Sequence, residues 1–113
     1  MLSIVIPVYN EEETVSGAVK EIKRILTDER IAFEMVFVDD GSRDRSWQII
    51  CDEHQKDNRI KGVRFTRNFG KDAAIFAGLK HCKGDCAAVL DCDLQHPPEK
   101  LPEMYRLWEQ GFE

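Results

Sequence analysis

Four short polar stretches hold the residues of this 113-residue chain whose types and spacing could do chemistry. The most informative is Asp91-Cys92-Asp93-Leu94-Gln95. On an extended chain alternate side chains share a face, so Asp91 and Asp93 would point the same way about 6.6 Å apart, with Cys92 opposite. At an effective dielectric near 20 two such charges repel by roughly 2–3 kcal/mol, and a bound cation relieves the repulsion. Hard oxygen ligands suit Mg²⁺ or Mn²⁺, which keep several waters and are commonly completed by substrate phosphates. Such an ion would neutralise a diphosphate leaving group. The same pair would also serve as two exposed loop carboxylates, one of them capping a helix.

The other stretches carry similar double meanings. In Asp39-Asp40-Gly41-Ser42 one carboxylate suits a turn or helix cap, which leaves the other to accept hydrogen bonds from a nucleobase or ribose. Tyr9 offers a flat face for a base, and Asn10 and Glu11 offer polar edges. Glu12 and Glu13 are equally explained as acids favouring the positive end of a following helix. In Arg64-Phe65-Thr66-Arg67-Asn68-Phe69-Gly70-Lys71 a glycine permits a tight turn just before a helix, and Arg67 and Lys71 flank it. Helix starts with nearby cations favour phosphate, although a solvated basic face has the same composition.

These stretches need elements to position them, and the apolar pattern supplies four βα units. Leu2 to Val8 is a short apolar run of the kind buried on both faces, followed by Val15, Ala18, Val19, Ile22, Ile25 and Leu26 at helical spacing. Phe33 to Val38 predicts a second strand, then a helix with the stripe Trp47, Ile50, Cys51 and His54, capped by Asp44. Ile60 to Phe65 predicts a third strand and Lys71 to His81 an Ala-rich helix. Ala87 to Leu90 predicts a fourth strand, before a last helix with Leu101, Met104, Tyr105 and Trp108 on its apolar face. Pro97 and Pro98 suit the entry to that helix, Gly111 its C-terminal cap, and Phe112 the opening of another strand. Strands alternating with helices indicate an α/β fold with a parallel, Rossmann-like sheet. In such a sheet, ligands bind beyond the carboxyl ends of the strands where strand order reverses. Right-handed crossovers with the order 3-2-1-4 would bring the ends of strands one, two and four around one crevice.

Composition narrows the function classes. The chain is 42% hydrophobic and 33% charged, without repeats or biased segments, which indicates one domain over residues 1–113. Its formal charge of −5 argues against nucleic acid as a partner. Between Arg59 and Lys83, however, seven basic residues face the single acid Asp72, and a small anion could be drawn there. The start of the chain lacks a basic segment and Pro7 interrupts its apolar run, so no signal peptide is expected. No apolar run is long enough for a membrane span. Cys51, Cys82, Cys86 and Cys92 form no CxxC pair, so reduced, mostly buried thiols in a cytoplasmic protein are expected rather than a zinc site with His81 or His96.

Taken together, Ser3-Ile4-Val5-Ile6-Pro7-Val8-Tyr9-Asn10-Glu11-Glu12, Val38-Asp39-Asp40-Gly41-Ser42, Arg67-Asn68-Phe69-Gly70-Lys71-Asp72-Ala73-Ala74 and Asp91-Cys92-Asp93-Leu94-Gln95-His96-Pro97-Pro98-Glu99 resemble family 2 glycosyltransferases in order and spacing. The last two segments look most like the polyprenyl-phosphate branch, which includes dolichol-phosphate mannose synthases and bactoprenol glucosyltransferases. The resemblance implies an A-type glycosyltransferase fold, inversion at the anomeric carbon, a UDP- or GDP-sugar donor, and Mg²⁺ or Mn²⁺. It places Pro7, Tyr9 and Glu11 along the nucleoside, Asp40 on the base, Asp91 at the ribose or metal, and Asp93 with Gln95 on the metal. Arg67 and Lys71 would shape the donor pocket.

It also implies that the acceptor half, with any catalytic base, lies beyond this chain. The chain alone is then expected to be inactive, and the parent enzyme to work on polyprenyl phosphate at the cytoplasmic face of a membrane. A nucleotide-binding or interaction module without transfer activity is the alternative. A receiver domain would place its acidic pair after the first strand, whereas Asp39 and Asp40 follow the second. A fourth strand at the sheet edge, uncharged over Ala87-Ala88-Val89-Leu90, predicts a homodimer through that edge.

Overall fold

The computed structural model describes residues 1–95 and 97–111, so His96 and Phe112 lie outside the described residues. The elements run β1 (Leu2–Val8), α1 (Val15–Asp28), β2 (Phe33–Asp39), α2 (Ser46–Lys56), β3 (Ile60–Arg64), α3 (Lys71–Lys80), β4 (Cys86–Val89) and α4 (Lys100–Glu109). All strand pairings are parallel and the order is β3-β2-β1-β4, as the alternating pattern predicts. Strand order therefore reverses between β1 and β4, which makes that gap the switch point of the sheet.

β1 and β2 are apolar on both faces because both faces are covered. Leu2, Ile4, Ile6 and Val8 of β1 and Phe33, Met35 and Phe37 of β2 share one core with Ile22 and Leu26 of α1, Ile50 of α2, and Leu101 and Tyr105 of α4. Burying side chains of this size contributes roughly 1.5–3 kcal/mol each, so the sheet is held mainly from this face. On the opposite face Val36 and Val38 pack on Ala74 of α3. α3 approaches closely there: a Cβ at Gly78 would lie 2.4 Å from Val5 Cγ1.

Several local expectations are corrected by one or two residues. β3 ends at Arg64 and β4 spans Cys86–Val89, yet the Phe65 and Leu90 N–H groups still donate to Asp39 and Val5 carbonyls just past the regular ladder. α3 ends at Lys80, and His81 is its cap. Arg45 immediately precedes α2, while Asp44 accepts from the Ser46 N–H at 2.9 Å, so Asp44 does serve the first amide of that helix. Glu12 and Glu13 stand in the turn before α1, whose first turn holds no acid, and the Glu12 carboxylate instead accepts from the Arg45 N–H. Met104 is exposed rather than part of the α4 apolar contact, and Gly111 follows the helix with φ 94°. All four cysteines are free, but only Cys92 is buried; the other three are half-buried.

Candidate functional site

The carboxyl ends of β1, β2 and β4 meet around a cavity of about 300 Å³ lined by Pro7, Val8, Tyr9, Glu11, Asp40, Lys71, Asp91, Cys92 and Asp93. Seven of the ten residues singled out by sequence are thus together: Pro7, Tyr9, Glu11, Asp40, Lys71, Asp91 and Asp93. Asp39, Arg67 and Gln95 are not among the lining residues.

The floor is built by two loops that clasp each other. After β1 the chain turns at Asn10, with φ 53°, and its N–H donates to Ser42 Oγ at 2.8 Å while its Oδ1 accepts from the Arg43 N–H at 2.9 Å. The Glu11 N–H donates to Ser46 Oγ at 2.8 Å. Asn10, Ser42 and Ser46 therefore orient Tyr9 and Glu11 from behind. A cross-loop pairing of this kind leaves no periodic signal in sequence, which names Asn10 only as a polar edge. Tyr9 keeps its ring exposed, and the Glu11 carboxylate accepts from Thr14 Oγ1 at 2.7 Å.

Asp39 and Asp40 divide as successive residues at a strand end must, since neighbouring side chains point to opposite faces. Asp39 is fully buried; its Oδ1 accepts from the Ser42 N–H at 3.1 Å, and its Oδ2 has no partner among the described residues. Burial beneath the turn is its observed setting. Asp40 lines the cavity but already accepts from two amides of the approach to α3, Phe69 N–H at 2.7 Å and Gly70 N–H at 3.0 Å. Gly41, at φ 73°, makes this possible, since a Cβ there would stand 2.4 Å from the Arg67 carbonyl carbon. The amides leading into α3 are therefore turned onto a protein carboxylate.

Asp91 and Asp93 do not lie on an extended chain. The Leu94 N–H donates to the Asp91 carbonyl at 3.0 Å and Leu94 takes φ 55°, so the segment is a turn, and the extended-chain spacing does not apply. Cys92 packs into the core with its Sγ 3.4 Å from Thr14 Oγ1, whose proton goes to Glu11. Burial pushes its thiol up to about 11, which keeps it a neutral core group. Asp91 Oδ1 receives Lys71 Nζ at 2.7 Å, and this hydrogen bond raises the lysine above its ordinary value. Asp93 is exposed, as is Gln95, whose N–H donates to Asp93 Oδ1 at 3.3 Å. Arg67 is exposed and lies 4.6 Å over the Phe69 ring.

The basic stretch from Arg59 to Lys83 is dispersed rather than gathered. Arg59 pairs with Asp57 and Lys61 with Glu34, while Arg64 and Lys80 lie over the rings of Trp47 and Phe76. Among the described residues no group of three or more His, Cys, Asp or Glu is set to hold a metal ion.

A four-stranded parallel sheet in this order, with its cavity at the switch point, defines the class. The mannosyltransferase PcManGT of Pyrobaculum calidifontis, solved with GDP-Man and Mn²⁺, matches with a TM-score of 0.77 over 93% of this chain and 31% of its own, at 21% identity. That likeness shows the fold, the A type of glycosyltransferases. The chain belongs to glycosyl transferase family 2, whose model matches residues 3–113. It is 41% identical over 111 residues to the glycosyltransferase YkcC of Bacillus subtilis, covering 98% of this chain and 34% of YkcC. It is also 41% identical over 113 residues to an undecaprenyl-phosphate 4-deoxy-4-formamido-L-arabinose transferase of Edwardsiella ictaluri, covering 99% of this chain and 35% of that enzyme. The chain thus spans about a third of the length of these relatives.

Proposed function

We propose that this chain forms the donor-nucleotide site of an inverting glycosyltransferase that moves a sugar from a UDP- or GDP-sugar to polyprenyl phosphate. The observation that carries this is the cavity at the switch point, lined together by Tyr9, Glu11, Asp40, Lys71, Asp91 and Asp93. An aromatic face, a cation and paired carboxylates in one cavity suit a ligand with a base at one end and a diphosphate at the other. Pro7 and Tyr9 would flank the base, Asp40 would offer it a remaining lone pair, and Lys71 would meet the diphosphate. The likeness to an undecaprenyl-phosphate sugar transferase supports the acceptor class.

The donor set fits Mg²⁺ or Mn²⁺. Two carboxylates, with no third His, Cys, Asp or Glu among the described residues set to join them on an ion, make a poor cage but a normal half-site for ions completed by water and phosphate. Asp91 and Asp93 would hold the ion, which supplies Lewis-acid charge neutralisation to a departing diphosphate. Gln95 would join them only if its exposed side chain turned inward. No described helix is long and apolar enough to cross a membrane. Work at the cytoplasmic face of a membrane therefore remains part of the proposal for the whole protein, drawn from the acceptor class.

Calorimetric titration with UDP, GDP and their sugars, each with and without Mn²⁺, tests the proposal. Metal-strengthened binding of one nucleotide class is expected, and equal affinity with and without the ion would sink the metal-assisted site. The uncovered edge of β4, with Val89 exposed, supports a further proposal of self-association through that edge. Light scattering across a micromolar concentration series should show a dimer that Val89→Lys dissolves; a monomer throughout would refute it.

A further inference from the structure

Lys71 is the one cation among the described cavity-lining residues, and it shares that lining with the acids Glu11, Asp40, Asp91 and Asp93. Two of these acids have donors that belong to the protein fold, Thr14 for Glu11 and the Phe69 and Gly70 amides for Asp40. Asp91 has Lys71 itself, at 2.7 Å, in a pair whose side chains are 59% and 33% exposed. The approach to α3 has already committed two amides to Asp40, so the charge it can still present to a phosphate is the Lys71 ammonium.

We propose that the Lys71 ammonium, seated on Asp91 at the cavity mouth, is a placeholder cation that a divalent ion displaces and that then turns to the donor diphosphate. The proposal rests on the metal-assisted donor site described above. An ammonium and a divalent ion cannot share one carboxylate oxygen without strong repulsion, so the two compete for Asp91. A half-exposed pair of this kind is weak and readily exchanged, which suits a group that must leave. Coupling between two ligands is reciprocal. A diphosphate that gives Lys71 a new partner must therefore tighten the metal, and the metal must tighten the diphosphate. Lys71 would thus make the empty site a poor metal binder and the nucleotide-loaded site a good one.

The test is Mn²⁺ affinity, read by electron paramagnetic resonance and calorimetry, for the protein, Lys71→Met and Lys71→Arg, first alone and then with saturating UDP or GDP. Without nucleotide, Lys71→Met should bind Mn²⁺ about threefold to tenfold tighter than the unmodified protein, the size expected for one exposed ion pair and one like charge removed. Its gain in Mn²⁺ affinity on adding nucleotide should shrink, whereas Lys71→Arg should keep most of the gain. Unchanged Mn²⁺ affinity in Lys71→Met, with nucleotide coupling intact, would overturn the placeholder while leaving the metal-assisted site standing. Absence of Mn²⁺ binding in every protein, with or without nucleotide, would overturn both.

Discussion

At the amino ends of the strands Glu34 is sealed, 2% exposed, with Ser3 Oγ and the Lys83 N–H donating to Oε2 at 2.5 Å each and Lys61 Nζ donating to Oε1 at 2.6 Å. Ser3 Oγ in turn accepts from the Gly84 N–H at 2.8 Å, which ties the entry of β4 to β1. At the carboxyl ends Asp91 and Asp93 stand half-exposed and exposed, with one lysine and one backbone amide between them. A carboxylate has about four acceptor positions, and a buried one is tolerable only when they are used. The difference teaches how to separate acids that hold a fold from acids that await a ligand: the first have spent their lone pairs inside the protein, and the second have kept them.

The comparison breaks most visibly if Glu34 is truncated. Glu34→Ala would take the acceptor from the Lys61 ammonium and from two other donors, the Ser3 hydroxyl and the Lys83 N–H, and should cost about 3–4 kcal/mol in a denaturant titration. Its pH signature follows from the same contacts. Burial raises the Glu34 carboxyl, but hydrogen bonds from Lys61, Ser3 and the Lys83 amide outweigh it and hold the group at about 2, below its ordinary 4.5. A depressed carboxylate stabilises the fold fully above its unfolded value and loses that contribution as the acid is protonated. About 3 kcal/mol should therefore be present above pH 4.5 and lost as pH falls through about 2. Glu34→Gln should flatten that limb of the stability profile; an unchanged profile would mean that the network is not made in solution.

Asp40 lies between the two extremes, lining the cavity yet accepting two amides. Asp40→Ala should cost about 1–3 kcal/mol, because the Phe69 and Gly70 N–H groups lose their acceptor, and should weaken nucleotide binding by loosening the approach to α3. Asp40→Asn keeps one acceptor and should fall between. A stability loss without any loss of binding would move Asp40 wholly to the structural side of the comparison.

The fold was largely legible in the sequence because it is written in periodicity. Buried parallel strands such as Leu2–Val8 and Phe33–Asp39 are apolar apart from Ser3, Glu34 and Asp39, and the helix stripe from Val15 to Leu26 repeats at 3.6 residues. The order β3-β2-β1-β4 brings Tyr9, Asp40 and Asp91 to one crevice, so the place of the cavity was legible as well. What periodicity does not encode is the conformation of loops. The turn at Leu94 exposes Gln95, the close approach of Gly41 to Arg67 commits Asp40 to backbone amides, and Glu34 in an otherwise apolar strand gives no hint of Lys83, 49 residues away. The charge excess from Arg59 to Lys83 is likewise resolved only by loop and side-chain conformation, since five of its members meet acids or rings and Lys71 alone among the seven lines the cavity.

The smallest effect on stability is expected where the effect on binding is largest. Asp93 is exposed and its one hydrogen-bond partner among the described residues is the Gln95 amide at 3.3 Å, so little of the described fold depends on it. Asp93→Ala should change unfolding free energy by less than about 0.5 kcal/mol, the range of ordinary surface substitutions. Yet half of the carboxylate pair that would hold a divalent ion is then gone, and Asp91 is left with a lysine competing for it. Calorimetry should find that Mn²⁺ no longer strengthens UDP or GDP binding, while metal-free affinity stays within about twofold of the unmodified protein, since the contacts to base and ribose are untouched. Thermal melts in parallel distinguish the outcomes. A marked stability loss would place Asp93 with Glu34 among the acids that build the fold, and retained Mn²⁺ dependence would assign the ion to other ligands.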